Sequence, residues 1–383
     1  MTRILVYVGI NQYHPGDEGM YLALKKLFSE YELIPHGDLY QPVSDDITAD
    51  VTLFGGGDVI PNWLMASKIR RSKLNYCLGV GVLDPDFFHR PFDEIEPENM
   101  SQNILKKTVE LVNRSHLLAK IIRRAWPNRL GDPLNLAPYL NTDEMSKRDF
   151  QKVAEFGFDR IGVRGSVSQE ILRKHGIAST VVADTALYCE PTAYHYERNY
   201  KIGINIIAPG TQQKWTQDDT YIKHIISFCN SISDKYRFVI LTFFPRDLEV
   251  NQELSREIKN ATLLNFSARA DPDAQGVLDE ISTCDLMIAE RFHATSFGAC
   301  CHVPFISLEY QPKKLDLTKS LDLEDLSIRI DQVTYEKLEE LFNKTVGNPD
   351  LIDRIRRNVA NARKKLEDFT DLIKTDIEHR LPM

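Results

Sequence analysis

Three ionisable groups stand within four positions at Glu290-Arg-Phe-His293, between an apolar run, Asp285-Leu-Met-Ile-Ala289, and a run of small residues, Ala294-Thr-Ser-Phe-Gly-Ala-Cys-Cys301. Arg carries a permanently charged fork of donors that matches phosphate or carboxylate oxygens. His titrates near neutrality and can deliver or accept a proton. The chemistry open to this group is anion binding coupled to proton transfer. A second Arg closes another apolar run in Arg160-Ile-Gly-Val-Arg-Gly-Ser-Val-Ser168. Together Arg164 and Arg291 would clamp a small dianion, with Ser166 placed to cap the helix that follows. Glu290 has three readings: it orients His293, it holds Arg291, or it is a satisfied partner with no catalytic part.

Two further clusters could do chemistry. Gly16-Asp-Glu-Gly19 opens a helix directly after the first strand, with Asn11 nearby. Asp17 and Glu18 either complement the helix dipole, at about 0.3–1 kcal/mol each, or accept hydrogen bonds or protons from a sugar hydroxyl. Gly55-Gly-Gly-Asp58 follows a strand and lacks three β-carbons, which serves close approach to a ligand or a simple tight turn. The loop has no Gly-Lys-Ser/Thr ending and no GxGxxG spacing, so neither a Walker-type nor a nicotinamide site is expected. The six cysteines, Cys77, Cys189, Cys229, Cys284, Cys300 and Cys301, have no metal-ligand spacing. They read as buried free thiols of a reducing compartment, and no metal cluster is visible.

The elements that must position these groups alternate. Apolar strands at Ile4–Val8, 51–54, 75–82, 160–164 and 180–183 are separated by helices at 16–28 and 166–174. A second set follows Pro191: strands at 201–207, 237–243, 262–264, 285–289 and 304–308, with helices at 218–233, 247–259, 273–282 and 294–301. Alternation of this kind predicts parallel sheets covered by helices on both faces. Ile352, Ile355, Val359, Ala362, Leu366 and Phe369 keep helical spacing through the last 35 residues. The expected fold class is therefore α/β, two Rossmann-like domains facing a cleft in a GT-B-like arrangement, with a C-terminal helical tail. The expected boundaries are 1–188, 189–345 and 346–383. Residues 84–150, charged and rich in proline, read as an insertion in the first domain with a helix near 101–125. Its basic amphipathic segment, residues 114–126, reads either as a peripheral contact for a membrane or lipid-linked substrate, or as a packed helix with a solvated basic face.

At 383 residues, with 43% hydrophobic residues, the chain is long enough for two well-formed cores. The formal net charge of −8 argues against general nucleic-acid binding. No apolar run approaches the roughly 20 residues that span a bilayer, and the N-terminus reads as a strand rather than a signal peptide. A cytoplasmic location is expected. Oligomeric state is left open, a homo-oligomer included.

In this order, the motifs resemble those of the polysaccharide pyruvyl transferase family. The matching elements are Asn11 with Gly16-Asp17-Glu18, Phe54-Gly-Gly-Gly57, Gly162-Val-Arg-Gly-Ser-Val-Ser168 with Val182-Ala-Asp184, and Arg291-Phe-His-Ala294 with Ala299, Pro304 and Tyr310-Gln-Pro-Lys313. They span residues 4 to 315. The first loop is slightly long, Phe292 stands where the family more often has Leu, and Glu290 adds an acid. The resemblance implies an enzyme that moves the enolpyruvyl carbons of phosphoenolpyruvate onto two hydroxyls of a sugar, giving a cyclic pyruvate ketal, without metal or other cofactor. It implies His293 as general acid with Arg291 beside it, and Arg164, Ser168 and Lys313 in donor binding. Asn11, Asp17, Glu18, Gly56 and Gly57 would face the acceptor sugar, free, lipid-linked or polymeric, with Asp17 or Glu18 as base. A nucleotide-sugar glycosyltransferase of the same architecture and a non-catalytic member of the family are the alternatives.

Overall fold

The computed structural model describes residues 2–9, 14–37, 43–44, 47–61, 69–84, 87, 142–210, 214–216, 218–268 and 273–381. In the first half, β1 (Arg3–Tyr7) leads to α1 (Pro15–Leu27), β2 (Glu32–His36), β3 (Val51–Phe54), β4 (Asp58–Ile60) and β5 (Leu74–Val82). Then come α2 (Thr142–Phe156), β6 (Arg160–Val163), α3 (Ser166–Lys174) and β7 (Thr180–Val181). The strands pair in parallel in the order β2-β1-β3-β5-β6-β7, with β4 beside β5. β3 and β5 are buried along their whole length, as strands covered by helices on both faces must be. β2 escapes prediction because it is a half-exposed edge strand containing Pro35, a residue tolerated only at such an edge.

The second half comprises β8 (Lys201–Asn205), α4 (Thr220–Ser231), β9 (Arg237–Thr242), α5 (Leu248–Glu257), β10 (Ala261–Asn265) and α6 (Ala274–Ser282). It continues through β11 (Leu286–Ala289), α7 (Phe292–Cys300), β12 (Phe305–Glu309), α8 (Lys313–Ser320), β13 (Ser327–Arg329) and α9 (Tyr335–Thr345). Its parallel sheet runs β10-β9-β8-β11-β12-β13. Each sheet thus reverses its winding once, between β1 and β3 and between β8 and β11. Ligands of open α/β sheets bind in the crevice at those reversals, beyond the carboxyl ends of the strands. The expected twin Rossmann-like, GT-B-like fold is the observed one.

Among the elements that join the halves are α7 and the last helix. Every residue of α7 is buried, which explains its run of small side chains: a helix with no solvated face must be narrow enough to pass between layers. Phe297 of α7 reaches Gly19 of α1, and both α1 and α7 belong to one apolar core with α6 and the last helix. That helix, α10 (Pro349–Arg380), does not trail from the second half. It packs against β5 and against the short 3-10 turn at Thr185–Tyr188. Arg160 donates to Asp376 at 2.6 and 3.0 Å, and Lys374 pairs with Glu30 at 2.6 Å.

The expected insertion at 84–150 and its basic segment 114–126 lie almost wholly outside the described residues. Among the described residues, no helix is long and apolar enough to cross a membrane. All six cysteines are buried free thiols, as expected.

Candidate active site

A cleft opens where the two sheet reversals face each other, lined by His14, Asp17, Gly57, Arg164, Arg291, Phe292, His293, Tyr310 and Lys313. Most of these residues stand at the start of a helix. His14 is the N-cap of α1, Arg164 precedes the N-cap of α3, Arg291 is the N-cap of α7, and Lys313 begins α8. The positive ends of four helix dipoles and three cationic side chains therefore meet in one cleft, an electrostatic setting for an anion.

Arg291 is fixed from behind. Its Nε donates to the fully buried carboxylate of Asp247, and its backbone N–H donates to Asn205 Oδ1 at 3.1 Å. Asp247 also accepts from Ala208 N at 3.1 Å. Asn205, at the end of β8, donates to Leu241 O at 2.7 Å and so ties three strand ends together at the reversal. The guanidinium lies 5.2 Å from the Phe244 ring centre.

Glu290 neither orients His293 nor holds Arg291, which corrects two of its three readings. Its side chain is completely buried and paired with Lys214 at 2.6 Å. It accepts from Ile207 N at 2.8 Å and from the Tyr221 hydroxyl at 3.0 Å. Glu290 and Arg291 both follow the last residue of β11, and their side chains take different partners, Lys214 and Asp247. Its partners are those of the third reading, a carboxylate paired away from His293.

The α7 helix begins at Phe292 rather than at 294, which places His293 in its first turn. Its imidazole is mostly buried and abuts Gly16 of α1 so closely that a β-carbon there would overlap the ring. Its Nε2 stands 4.0 Å from Asp184 Oδ1, a carboxylate of the other half that caps the 3-10 turn through Ala186 N at 2.9 Å. Ala183, just before it, has φ of 145°, a strained conformation for a residue with a β-carbon. His14 lies beside His293, ring centres 5.4 Å apart, and its Nδ1 accepts from Gly16 N at 3.1 Å. Burial first, and then the charges of Arg291, His293 and Lys313, hold His14 well below the usual imidazole value.

Arg164 is also buried, and its guanidinium carbon lies 4.3 Å from the Phe292 ring centre, a cation–π contact that gives the Phe at this position a physical purpose. Its Nε is 3.7 Å from Asp316 of α8. Ser166 does not cap α3. Instead Asp316 reaches across from the other half, accepting from Val167 N at 2.8 Å, Ser168 N at 3.1 Å and Ser168 Oγ at 2.5 Å. The N-cap itself is Gly165, where any side chain would overlap Asp316.

Of the expected site residues, Asp17, Gly57, Arg164, Arg291, His293 and Lys313 come together in the cleft. Ser168 does not: its hydroxyl is fully buried and occupied by Asp316 and Val82 N. Glu18 and Gly56 do not line it either, and Gly56, with φ of 109°, packs against Met20 and Thr185. Asn11 lies outside the described residues. Sequence reasoning missed His14, Asp247, Asn205 and Asp316. Only His14 carried a local signal, an acceptor side chain just before Pro15 at a helix start.

One group in the cleft has the spacing of metal ligands, which the sequence spacing does not show. His14, Asp17 and His293 place ligand atoms within 4.8 Å of one another, a spacing that suits a divalent ion. Their surroundings do not, since Arg164, Arg291 and Lys313 line the same cleft and repel a cation.

Residues 12–312 match the family model described as polysaccharide pyruvyl transferase. Among solved structures, the fold is similar to a putative UDP-N-acetylglucosamine 2-epimerase from Listeria monocytogenes, with TM-score 0.54, 10% identity, and 100% of this chain and 97% of that chain covered. It is similar to S. aureus MnaA, solved with UDP, at TM-score 0.53 and 12% identity over 100% and 97% of the two chains. The glycosyltransferase of kitacinnamycin follows at TM-score 0.51 and 12% identity over 97% and 98%. At these identities the likeness is one of fold alone. No curated protein matches the sequence.

Proposed function

The chain belongs to the polysaccharide pyruvyl transferase family, and from that premise we propose that it transfers the enolpyruvyl group of phosphoenolpyruvate to two hydroxyls of a sugar, forming a cyclic pyruvate ketal. One observation carries this reading: Arg164, Arg291, Lys313 and His293 line a single cleft at converging helix N-termini. Phosphoenolpyruvate has a phosphate and a carboxylate on adjacent groups, and two arginines with a lysine suit both.

In the proposed reaction His293 delivers a proton to the methylene carbon of the donor, which leaves C2 electron-poor. Arg164, Arg291 and Lys313 hold the anionic groups. A sugar hydroxyl attacks C2 and gives its proton to Asp17, whose carboxylate lies in the same cleft. The C2–O bond to phosphate then breaks, and a second hydroxyl of the same sugar closes on C2, its proton leaving with the phosphate. One phosphoenolpyruvate and one diol become one ketal and one inorganic phosphate, and the proton on Asp17 returns to His293 through solvent. We place the acceptor on the first half, about 1–188 with Gly57 and Asp17, and the donor against the second, about 189–345.

The test is incubation of the protein with phosphoenolpyruvate and a panel of mono- and oligosaccharide acceptors, free and carrier-linked, following phosphate release and acceptor mass. Ketal formation is the expected product. Calorimetry that finds nucleotide-sugar binding and no phosphoenolpyruvate binding would overturn the reading in favour of glycosyl transfer.

A further inference from the structure

We propose that His14, as a neutral imidazole, is a donor-binding residue that presents its Nε2–H to an anionic oxygen of phosphoenolpyruvate. The proposal rests on the function proposed above and assigns a further residue to its site.

Helix N-caps are usually Ser, Thr, Asp or Asn, because the cap must accept a hydrogen bond. At α1 the cap is His14, whose Nδ1 accepts from Gly16 N at 3.1 Å. A nitrogen that accepts carries no proton, so the single proton of the neutral ring lies on Nε2. The cap therefore sets the tautomer. It also turns Nε2 away from the α1 backbone, in a side chain that lines the cleft with Arg291, His293 and Lys313.

The surroundings explain why this position does not carry the commoner Asp. A carboxylate there would add negative charge to a cleft built for an anion. An imidazolium would repel Arg291, His293 and Lys313, and Asp17 stands 4.0 Å from Nδ1. A neutral imidazole caps the helix and adds a directed donor without either penalty. The depressed basicity of His14 agrees with this assignment. The same neutral-electrophile logic uses a helix N-terminus to keep a histidine uncharged.

The experiment compares wild type with His14→Ser, which keeps an N-cap acceptor and is too short to reach a substrate, and with His14→Ala, which loses both. In H14S, phosphoenolpyruvate affinity by calorimetry should fall about 10–100-fold, with the urea midpoint unchanged. The pH dependence of affinity in H14S should keep the wild-type shape, because the proposal makes His14 a neutral ligand. Wild-type affinity in H14S, with destabilisation confined to H14A, reduces His14 to a helix cap and overturns the proposal. Loss of a titrating step in H14S makes His14 a cationic ligand and overturns the neutral form. Stoichiometric Zn²⁺ binding by wild type that disappears in H14S makes the cluster a metal site and also overturns it. A wild-type protein that binds no phosphoenolpyruvate overturns the proposed function as well, so the two failures are distinguishable.

Discussion

Gly16, in the first turn of α1, lies against the imidazole of His293, and a β-carbon at position 16 would overlap its Nδ1, Cγ and Cβ. The two residues are 277 positions apart, 293 less 16, and belong to opposite halves of the molecule. The glycine of the Gly-Asp-Glu motif is therefore a packing requirement of the histidine: it lets the start of α1 stand directly beside the first turn of α7.

Gly16→Ala should for this reason do more than adjust helix propensity. Overpacking of this kind costs about 1–3 kcal/mol, and here the strain falls on His293 and on the contact between halves. We expect a lower denaturation midpoint and at least a ~10-fold loss of turnover, since small displacements of a reacting group are costly. Urea denaturation and phosphate release measure both. Wild-type stability and rate in G16A would show that the contact is slack.

Arg291 and His293 should separate binding from chemistry. Arg291→Ala is expected to weaken phosphoenolpyruvate binding strongly, and it also leaves Asp247 buried without its partner. His293→Ala should lower turnover by about 10²–10⁴-fold while donor affinity falls less. Calorimetry beside steady-state kinetics reads the split, and unchanged turnover in H293A removes His293 from the chemistry.

Glu290→Gln should destabilise by about 3–5 kcal/mol, because Lys214 would remain buried without its counter-charge. Glu290→Gln with Lys214→Met should recover much of that loss. A double-mutant cycle by urea denaturation reports the coupling. Additive losses would mean that the pair is not the unit the geometry suggests.

Lys314 gives a pH signature. Its ammonium is fully buried, donating to Thr295 Oγ1 at 2.6 Å, Ala289 O at 3.1 Å and Arg291 O at 3.4 Å, behind the strand-to-helix junction of the site. Burial pushes it down to about 7, against the opposing pull of Glu309 and Glu290. An unfolded lysine titrates near 10.4, so from about pH 7 to 10 the unfolded chain holds a proton that the folded one lacks, and stability rises with pH across that window. As pH falls through about 7 that contribution is gone. Urea midpoints at several pH values should climb for wild type and climb less for Lys314→Met. Parallel slopes would refute the assignment.

Much of the architecture was legible because it is written in local patterns. Fully apolar strands such as 51–54 and 75–82, alternating with amphipathic helices, specify buried parallel sheets by period alone. The edge strand β2 and the short β13 were not, since an edge strand with a proline and a three-residue strand carry no period to read. The site was legible in the same measure. Arg164, Arg291 and His293 announce themselves as ionisable groups where apolar strands stop, and the ordered motifs tied them to one family. Ser168, Glu18 and Gly56 looked equivalent to their neighbours in those motifs and are not in the cleft.

The sequence by itself determined the fold class, the family and the cationic groups of the cleft, because each is written in short local motifs and their order along the chain. Tertiary structure alone decided which partner holds each group. Asp247 holds Arg291, Asp316 of one half caps a helix of the other, Glu290 turns away to Lys214, and α10 returns to the first half. The reason is physical: a buried charge is satisfied by whatever donor or acceptor reaches it through space, at separations in sequence that no local pattern encodes.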